Sequence, residues 1–352
     1  MRSVVGVDVG GTKIQVAVMR GRAVIGRARA QTPGGEAGAV VQALVSTVGA
    51  AVGEAGLSQG EVGAVGIGFP GQFDRASGDT LYATNMPGFH HRFPLSREVS
   101  AALGGLPIAI DNDVRAALIG EYRLGSGRGY KNVLGVFAGT GLGGGLVLEG
   151  RLRHGRGAAG EIGHTVVKDG GRECGCGRRG CLEAYAGRGR MEVRARELVK
   201  SGKRTVLFDI QRRKGRDRMT SGVIYAALQQ GDRVAKSLVD EAVWALGISL
   251  GSIQNVLDLE AIILGGGLGD RLGEPFRARV LEAVKKHLLV GQTPPALLGT
   301  ELGDLSGAVG AGLLAQDLLR RGTDPSSRRP GPVGEGLSAG GGLGRDRKAD
   351  PG

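Results

Sequence analysis

Cys174, Cys176 and Cys181 are the only cysteines of a 352-residue chain, and His164 stands just ahead of them. One imidazole and three thiolates make the four ligands of a tetrahedral Zn²⁺. Four protein ligands leave no open coordination position, so the pattern predicts a structural zinc. A disulfide framework fits poorly, because the count is odd and Cys174 and Cys176 are too close to bridge easily. An imidazole that holds a metal through one nitrogen can bond a ligand through the other, and the metal then fixes the ring in place. Glu161 and Glu183 flank the same loop and can accept hydrogen bonds from ligand hydroxyls.

A second group of residues suits phosphate. In Asp8-Val9-Gly10-Gly11-Thr12-Lys13, the glycines let backbone N–H groups approach a phosphate without Cβ obstruction. Thr12 adds a hydroxyl and Lys13 a charge, and Asp8 can orient Mg²⁺ through water. The run is not a Walker loop, since the G-x-x-x-x-G-K-[ST] spacing is missing and a strand rather than a helix follows. Gly139, Thr140 and Gly141 begin a second glycine run ending at Gly145. It resembles a dinucleotide fingerprint, but the apolar residues after it read as a strand. A matching turn in each half favours a two-jaw phosphate clamp. Gly265, Gly266 and Gly267 form a third cluster, between a strand and a helix, where an adenosine can lie against backbone. Asp111-Asn112-Asp113 falls where a strand gives way to a helix. One of the three serves as an ordinary N-cap, and a carboxylate there can also take a proton from a hydroxyl attacking a phosphoryl group.

These residues need elements to hold them. Apolar runs predict strands over 3–9, 14–19 and 23–31, a helix over 37–56, strands over 62–69 and 106–110, and a helix over 114–124. The plan then restarts with strand 132–137, a Gly-Thr turn and strand 143–148. A long helix near 231–256, a strand over 261–264 and helices over 271–288 and 306–320 complete it. Two halves on one plan suggest an internal duplication with a cleft between them, and the alternation makes this an α/β protein. The expected division is a first lobe over 1–125, a second over 126–321 carrying the zinc loop 164–181, and a disordered Gly/Pro-rich tail over 322–352.

Composition bounds the alternatives. Sixty-eight glycines without a G-X-Y period exclude collagen. No apolar run reaches the ~18 residues of a membrane span, and no export signal opens the chain, so a reducing, cytoplasmic location is expected. The net charge is +12, of which the segment 188–218 supplies +8, from 12 basic and 4 acidic residues. Phe208 is its only aromatic residue, so it lacks the stacking surface of a single-strand or RNA binder. It reads as a solvated basic helix and loop that can also attract a polyanion such as a nucleotide.

The chain resembles the ROK family (repressors, open reading frames and kinases), most closely its bacterial glucokinases. The resemblance spans about residues 3–320 and rests on Asp8–Lys13, Gly68-Phe69-Pro70-Gly71, Asn112-Asp113, Gly139–Gly141, Glu161-x-x-His164 and the cysteine run ending at Glu183. It implies an actin-like ATPase fold of the sugar kinase, Hsp70 and actin type, with two lobes and a central cleft. It implies ATP, Mg²⁺ and structural Zn²⁺, hexose as acceptor, and a homo-oligomer, dimer or tetramer, with no membrane or nucleic-acid partner. By the same resemblance Asp113 is the general base. Asn85, Asn112, Asp113, Glu161, His164 and Glu183 match sugar contacts, and His164 with the three cysteines matches the zinc ligands. Asp8, Gly10, Gly11, Thr12, Lys13, Gly139, Thr140 and Gly141 match the phosphate side, and Gly265, Gly266 and Gly267 the adenosine side. Two stretches depart from the family: Val114-Arg115, where small residues or Asn are usual, and Asp258-Leu259-Glu260, where Asn-Pro-Glu is usual.

The expected activity is phosphorylation of glucose at its 6-hydroxyl by ATP. A kinase of N-acetylhexosamines or another hexose shares the same site motif. A sugar-responsive repressor of the family carries an N-terminal helix-turn-helix, for which a phosphate motif beginning by Val4 leaves no room.

Overall fold

The strand β1 (Ser3–Val9) is buried almost throughout, so it needs partners on both edges and cover on both faces. β2 (Lys13–Arg20) and β3 (Ala23–Gln31) return antiparallel on one edge. The helix α1 (Ala37–Glu54) then crosses back, and β4 (Val62–Phe69) joins the other edge in parallel. A small hairpin, β5 (Gln72–Phe73) with β6 (Thr80–Tyr82), and the helix α2 (Leu95–Ala102) precede β7 (Ile108–Asn112) and α3 (Asp113–Leu124). A second sheet follows with β8 (Val133–Ala138), β9 (Leu142–Leu148) and β10 (Arg151–Arg153). The helices α4 (Glu183–Ala186), α5 (Arg188–Lys200), α6 (Leu207–Arg213), α7 (Ser221–Gln229) and α8 (Arg233–Leu257) come next. The chain continues through β11 (Ala261–Gly265), α9 (Gly266–Lys285), β12 (Ala296–Leu298) and α10 (Ser306–Thr323). This computed structural model describes residues 2–83, 86 and 88–323.

The sheets have orders β3-β2-β1-β4-β7 and β10-β9-β8-β11-β12. In each, the first three strands are antiparallel and the last two parallel additions. The repeated plan expected from sequence is thus the same topology twice. Its consequence is positional. The parallel strands of both sheets end in the glycine turns and the Asp111–Asp113 run, so the chemistry-bearing residues collect at the strands' carboxyl ends.

One face of the first sheet packs Val5, Val7 and Ile67 with Val40, Leu44 and Val48 of α1 and Leu95 and Val99 of α2. By length and composition α1 could cross a membrane, an exception to the expectation that no apolar run is long enough. Its buried stripe instead belongs to this core. The second sheet covers one face with α5, α7, α8 and α9. On its other face, Val133, Val147, Ala261 and Ile263 meet Leu118 of α3.

α10 follows the second sheet in the chain but packs on the first, where Val309, Leu313 and Ala315 meet Val4, Met19 and Ala64. The sequence division had given residues 306–321 to the second lobe. Glycines make the close seat possible: a Cβ at Gly66 would lie 1.8 Å from the Ala311 carbonyl oxygen, and one at Gly310 would lie 1.7 Å from that of Ala116. α10 also runs to Thr323, past the expected start of the tail at 322. The rest of that tail lies outside the described residues.

Two further details differ from the periodicity reading. α9 begins at Gly266 and is two helical pieces joined at Gly273, with Pro275 just beyond. Proline removes an N–H and blocks the preceding turn, which breaks the expected single helix. α2, α7, the β5–β6 hairpin, β10 and β12 were not anticipated, being too short for a periodic signal.

Candidate active site

Asn112 ends β7 and caps α3, accepting hydrogen bonds from the N–H groups of Val114 (3.0 Å) and Arg115 (3.3 Å). Of the three candidates in the polar run, it is therefore the N-cap. Asp111 is buried and accepts from Arg115 Nε at 2.8 Å, while its second oxygen lies 2.7 Å from His154 Nε2. Arg115 donates onward to the Gly157 carbonyl at 3.0 Å. The departure at Val114-Arg115 thus pins the 154–157 loop of the second half to the end of β7. Burial is the largest single influence on the Asp111 carboxyl and raises it, but the His154 hydrogen bond, the charges of Arg115 and His154 and the Asn112 N–H together hold it below its ordinary range.

Asp113, the first residue of α3, accepts from the Val114 N–H at 2.9 Å. Burial, with the nearby charge of Glu161, pushes its carboxyl up to about 6. Asp8, next to the last residue of β1, is in register with Gly68, which is in register with Asp111. Burial, then the neighbouring Asp113, raises Asp8 to about 7, while Lys13 works the other way. Asp8 also abuts Gly307 in the first turn of α10, where a Cβ would fall 2.5 Å from its carboxyl carbon. Asp8, Asp113 and Glu161 therefore form one group of interacting carboxyls fed by three separate elements. Two raised carboxyls at the same strand ends make this a candidate site for proton transfer.

Glu161 leads into a single helical turn, Ile162–His164. Gly163 seats that turn against β9, since a Cβ there would lie 2.0 Å from the Leu142 carbonyl oxygen. His164 Nδ1 is 3.9 Å from Cys174 Sγ, and Cys176 Sγ is 3.8 Å from Cys181 Sγ. Ligand atoms of all four residues lie within 4.8 Å of one another. A sulfur pair at this spacing is not a disulfide, whose bond is about 2.05 Å. A tetrahedral ion with metal–sulfur bonds of about 2.3 Å places its sulfurs about 3.8 Å apart, so the donor set fits zinc in chemistry and in spacing. Cys174 and Cys181 are buried, while Cys176 is exposed.

Glu183, expected to face the acceptor, accepts from Leu142 N–H through Oε2 at 2.9 Å, while Oε1 lies 3.5 Å from Cys174 Sγ, which as a zinc-holding thiolate would have no proton to give it. The side chain lies between the cysteine loop and the Gly139–Gly141 turn, where a Cβ at Gly141 would fall 2.4 Å from the carboxylate. Asn85 lies outside the described residues.

On the phosphate side, Gly10 N–H donates to the Lys13 carbonyl at 2.8 Å, and Thr32 Oγ1 donates to the Gly10 carbonyl at 2.6 Å. Lys13 Nζ pairs with Asp304 at 3.1 Å, so the charge expected to serve phosphate is tied to the segment before α10. In the second turn, Gly139 N–H donates to the Gly141 carbonyl at 2.9 Å. Gly266, with φ +76°, packs where a Cβ would lie 2.8 Å from Ala138 N, so the third glycine cluster stands beside the second. Sequence reasoning did not single out Arg188, whose guanidinium reaches Thr140 Oγ1 and Ser221 Oγ, each at 3.2 Å. Its only sequence signal was its place at the start of the basic segment.

The second departure is also accounted for. Asp258 caps α8 in the left-handed region at φ 45°, a conformation that Asp and Asn tolerate better than most residues. Glu260 accepts from the N–H groups of Lys131 (2.6 Å) and Asn132 (2.7 Å).

Residues 4–318 match the ROK family. A glucokinase of Streptomyces coelicolor is 36% identical over 326 residues, covering 89% of this chain and 97% of that protein. An N-acetylgalactosamine kinase of Shewanella is 33% identical, covering 89% and 96%. Among solved structures, a ROK family glucokinase from Streptomyces griseus, in complex with glucose and AMPPNP, superposes with a TM-score of 0.76. It is 33% identical, with 90% of this chain and 99% of that chain covered. The fold is therefore that of the actin-like sugar kinases, as the resemblance had implied.

Proposed function

The chain belongs to the ROK family, and we propose that it transfers the γ-phosphoryl group of ATP to a hexose, with glucose as preferred acceptor. The observation that carries this reading is Asp113. It is a carboxyl at a strand–helix junction, raised to about 6, within a group that includes Asp8 and Glu161 and at the same strand ends as two equivalent glycine turns. A base with a pKa near the working pH both accepts a proton readily and is mostly ionised beforehand.

Asp113 takes the proton of the 6-hydroxyl as that oxygen attacks the γ-phosphorus. The new O–P bond forms, the bond from phosphorus to the β–γ bridging oxygen breaks, and ADP leaves. Asn112, Glu161, His164, Glu183 and Asn85 orient the ring hydroxyls, and Glu183 also braces the turn through the Leu142 N–H. The turns Gly10–Lys13 and Gly139–Gly141 hold the phosphates, and Gly265–Gly267 faces the adenosine. Mg²⁺ accompanying ATP would sit by Asp8 and offset charge on the phosphates. Zn²⁺ held by His164, Cys174, Cys176 and Cys181 would fix the loop that carries the acceptor-side residues. We divide the molecule between residues 125 and 126, with α10 returned to the first lobe. Lobe closure excludes water, whose attack on ATP is the competing reaction.

Glucose is the finer part of the reading, and its support is the likeness to glucokinases together with Glu161-Ile162-Gly163-His164. The same glutamate and histidine can hold an N-acetylated sugar, and a kinase of such a sugar is among the relatives. The test is kcat/KM for glucose, mannose, fructose, N-acetylglucosamine, N-acetylgalactosamine and N-acetylmannosamine with saturating Mg²⁺·ATP, repeated with polyphosphate. Glucose should lead. An N-acetylated sugar that outruns it overturns the specificity, and phosphorylation of none of them overturns the kinase reading.

A further inference from the structure

Arg188 opens α5 where three parts of the second lobe meet. Its N–H donates to the Gly139 carbonyl at 3.2 Å, and the next residue, Gly189, donates to the Thr140 carbonyl at 2.8 Å. Its guanidinium donates through Nη2 to Thr140 Oγ1 and through Nη1 to Ser221 Oγ at the start of α7. Nη1 also lies 3.1 Å from the place a Gly267 Cβ would occupy. One side chain thus touches the second glycine turn and borders the third.

Its charge is not matched. Among the described residues, Arg188 forms no ion pair with a carboxylate. The acid that acts on it, Glu192, is engaged elsewhere, accepting from Arg196 at 2.6 Å and from the Met219 N–H at 2.8 Å. Arg218, the far end of the same basic segment, adds a second positive charge nearby. Burial lowers the Arg188 pKa, and Arg218 acts in the same direction. Two neutral hydroxyls use two of the five guanidinium N–H groups and cancel none of its charge. Desolvating a cation without a counter-charge is costly, and here the cost falls beside backbone turns shaped to admit phosphate.

We propose that Arg188 binds the phosphate chain of the nucleotide, completing its ion pairing only when a polyphosphate lies against the Gly139–Gly141 turn. This rests on the kinase reading above and adds to it a cationic group besides Lys13, which forms a surface ion pair with the exposed Asp304. It also gives part of the basic segment 188–218 a role: its two ends, Arg188 and Arg218, influence each other at the nucleotide side of the second lobe. A planar fork suits phosphate oxygens in a way a lysine does not.

The test is calorimetric binding of ADP and of adenosine to wild type, Arg188→Gln and Arg188→Lys, with steady-state kinetics on the same preparations. Arg188→Gln should weaken ADP by ~10–100-fold and leave adenosine unchanged. KM for ATP should rise while KM for glucose stays put. Arg188→Lys, which keeps the charge but loses the fork, should fall between, and it carries the test should the glutamine variant not fold. ADP affinity equal to wild type in both variants, or ADP and adenosine weakened alike, overturns the assignment while the kinase reading stands. Wild-type protein that binds no ADP overturns both.

Discussion

Replacing Asp113 with asparagine should make the protein more stable and almost inactive. Moving a carboxyl from 3.8 to about 6 corresponds to about 3 kcal/mol of preference for the neutral form. Asp113 keeps some contact with solvent, which screens part of this and leaves about 1–2 kcal/mol. The folded value lies above the unfolded one. The stabilisation carried by the neutral group is therefore complete below pH 3.8 and is lost as pH rises through about 6. An amide has no proton to lose, and its oxygen can still accept from the Val114 N–H. Asp113→Asn should accordingly melt a few degrees above wild type at pH 7–8, and the gap should close towards pH 4. Turnover should fall ~10²–10⁴-fold at pH 7 with glucose binding largely kept. In wild type, turnover should drop as pH falls through about 6. The assays are coupled ADP release, calorimetric glucose binding and thermal melts at four or five pH values. A variant that keeps more than half of wild-type turnover is incompatible with Asp113 as base. A stability gap of equal size at pH 4 and pH 8 would show that its carboxyl is not raised.

Metal analysis should find one Zn²⁺ per chain, and Cys176→Ser should lower both metal content and glucose affinity; zinc-free protein with full activity after strong chelation would refute this. Gly310→Ala should destabilise by about 1–3 kcal/mol, because its Cβ would meet the Ala116 carbonyl oxygen at 1.7 Å; an unchanged melting temperature would mean that α3 and α10 can part freely. Glu121 is fully buried on α3 and accepts from the N–H groups of Ser126, Glu301 and Leu302 and from Ser306 Oγ. Glu121→Ala should cost at least about 3 kcal/mol by orphaning those donors, and denaturant unfolding with a loss under 1 kcal/mol would contradict it.

What could be read in the sequence follows from what each feature depends on. The duplicated sheets were legible because their strands are buried apolar runs broken by glycine turns, and both signals are local. The cysteine cluster was legible because its ligands lie close in the chain. Asp111, by contrast, looked like one of three interchangeable polar residues. Its burial and its partners Arg115 and His154 separate it from Asn112, the cap, and from Asp113, the half-buried base, and His154 comes from the other half of the chain. Lys13 looked like phosphate charge until Asp304, almost three hundred residues later, was seen to hold it. Arg188 went the opposite way, one of twelve basic residues until its desolvation and its contacts with Thr140 and Ser221 set it apart. α10 was recognised as a helix from its period, but nothing in that period says that it returns to the first sheet. That information sits in the glycines at positions 6, 66 and 310, whose missing side chains matter only once two distant segments are brought together. Polar residues in this protein acquire their roles from which groups they meet, and some of those meetings join segments far apart in the chain, as His154 with Asp111 and Asp304 with Lys13 do. A single sequence therefore identifies which groups could do the chemistry, while the partners each one meets in the fold separate Asp111, held by Arg115 and His154, from Asp113 beside it.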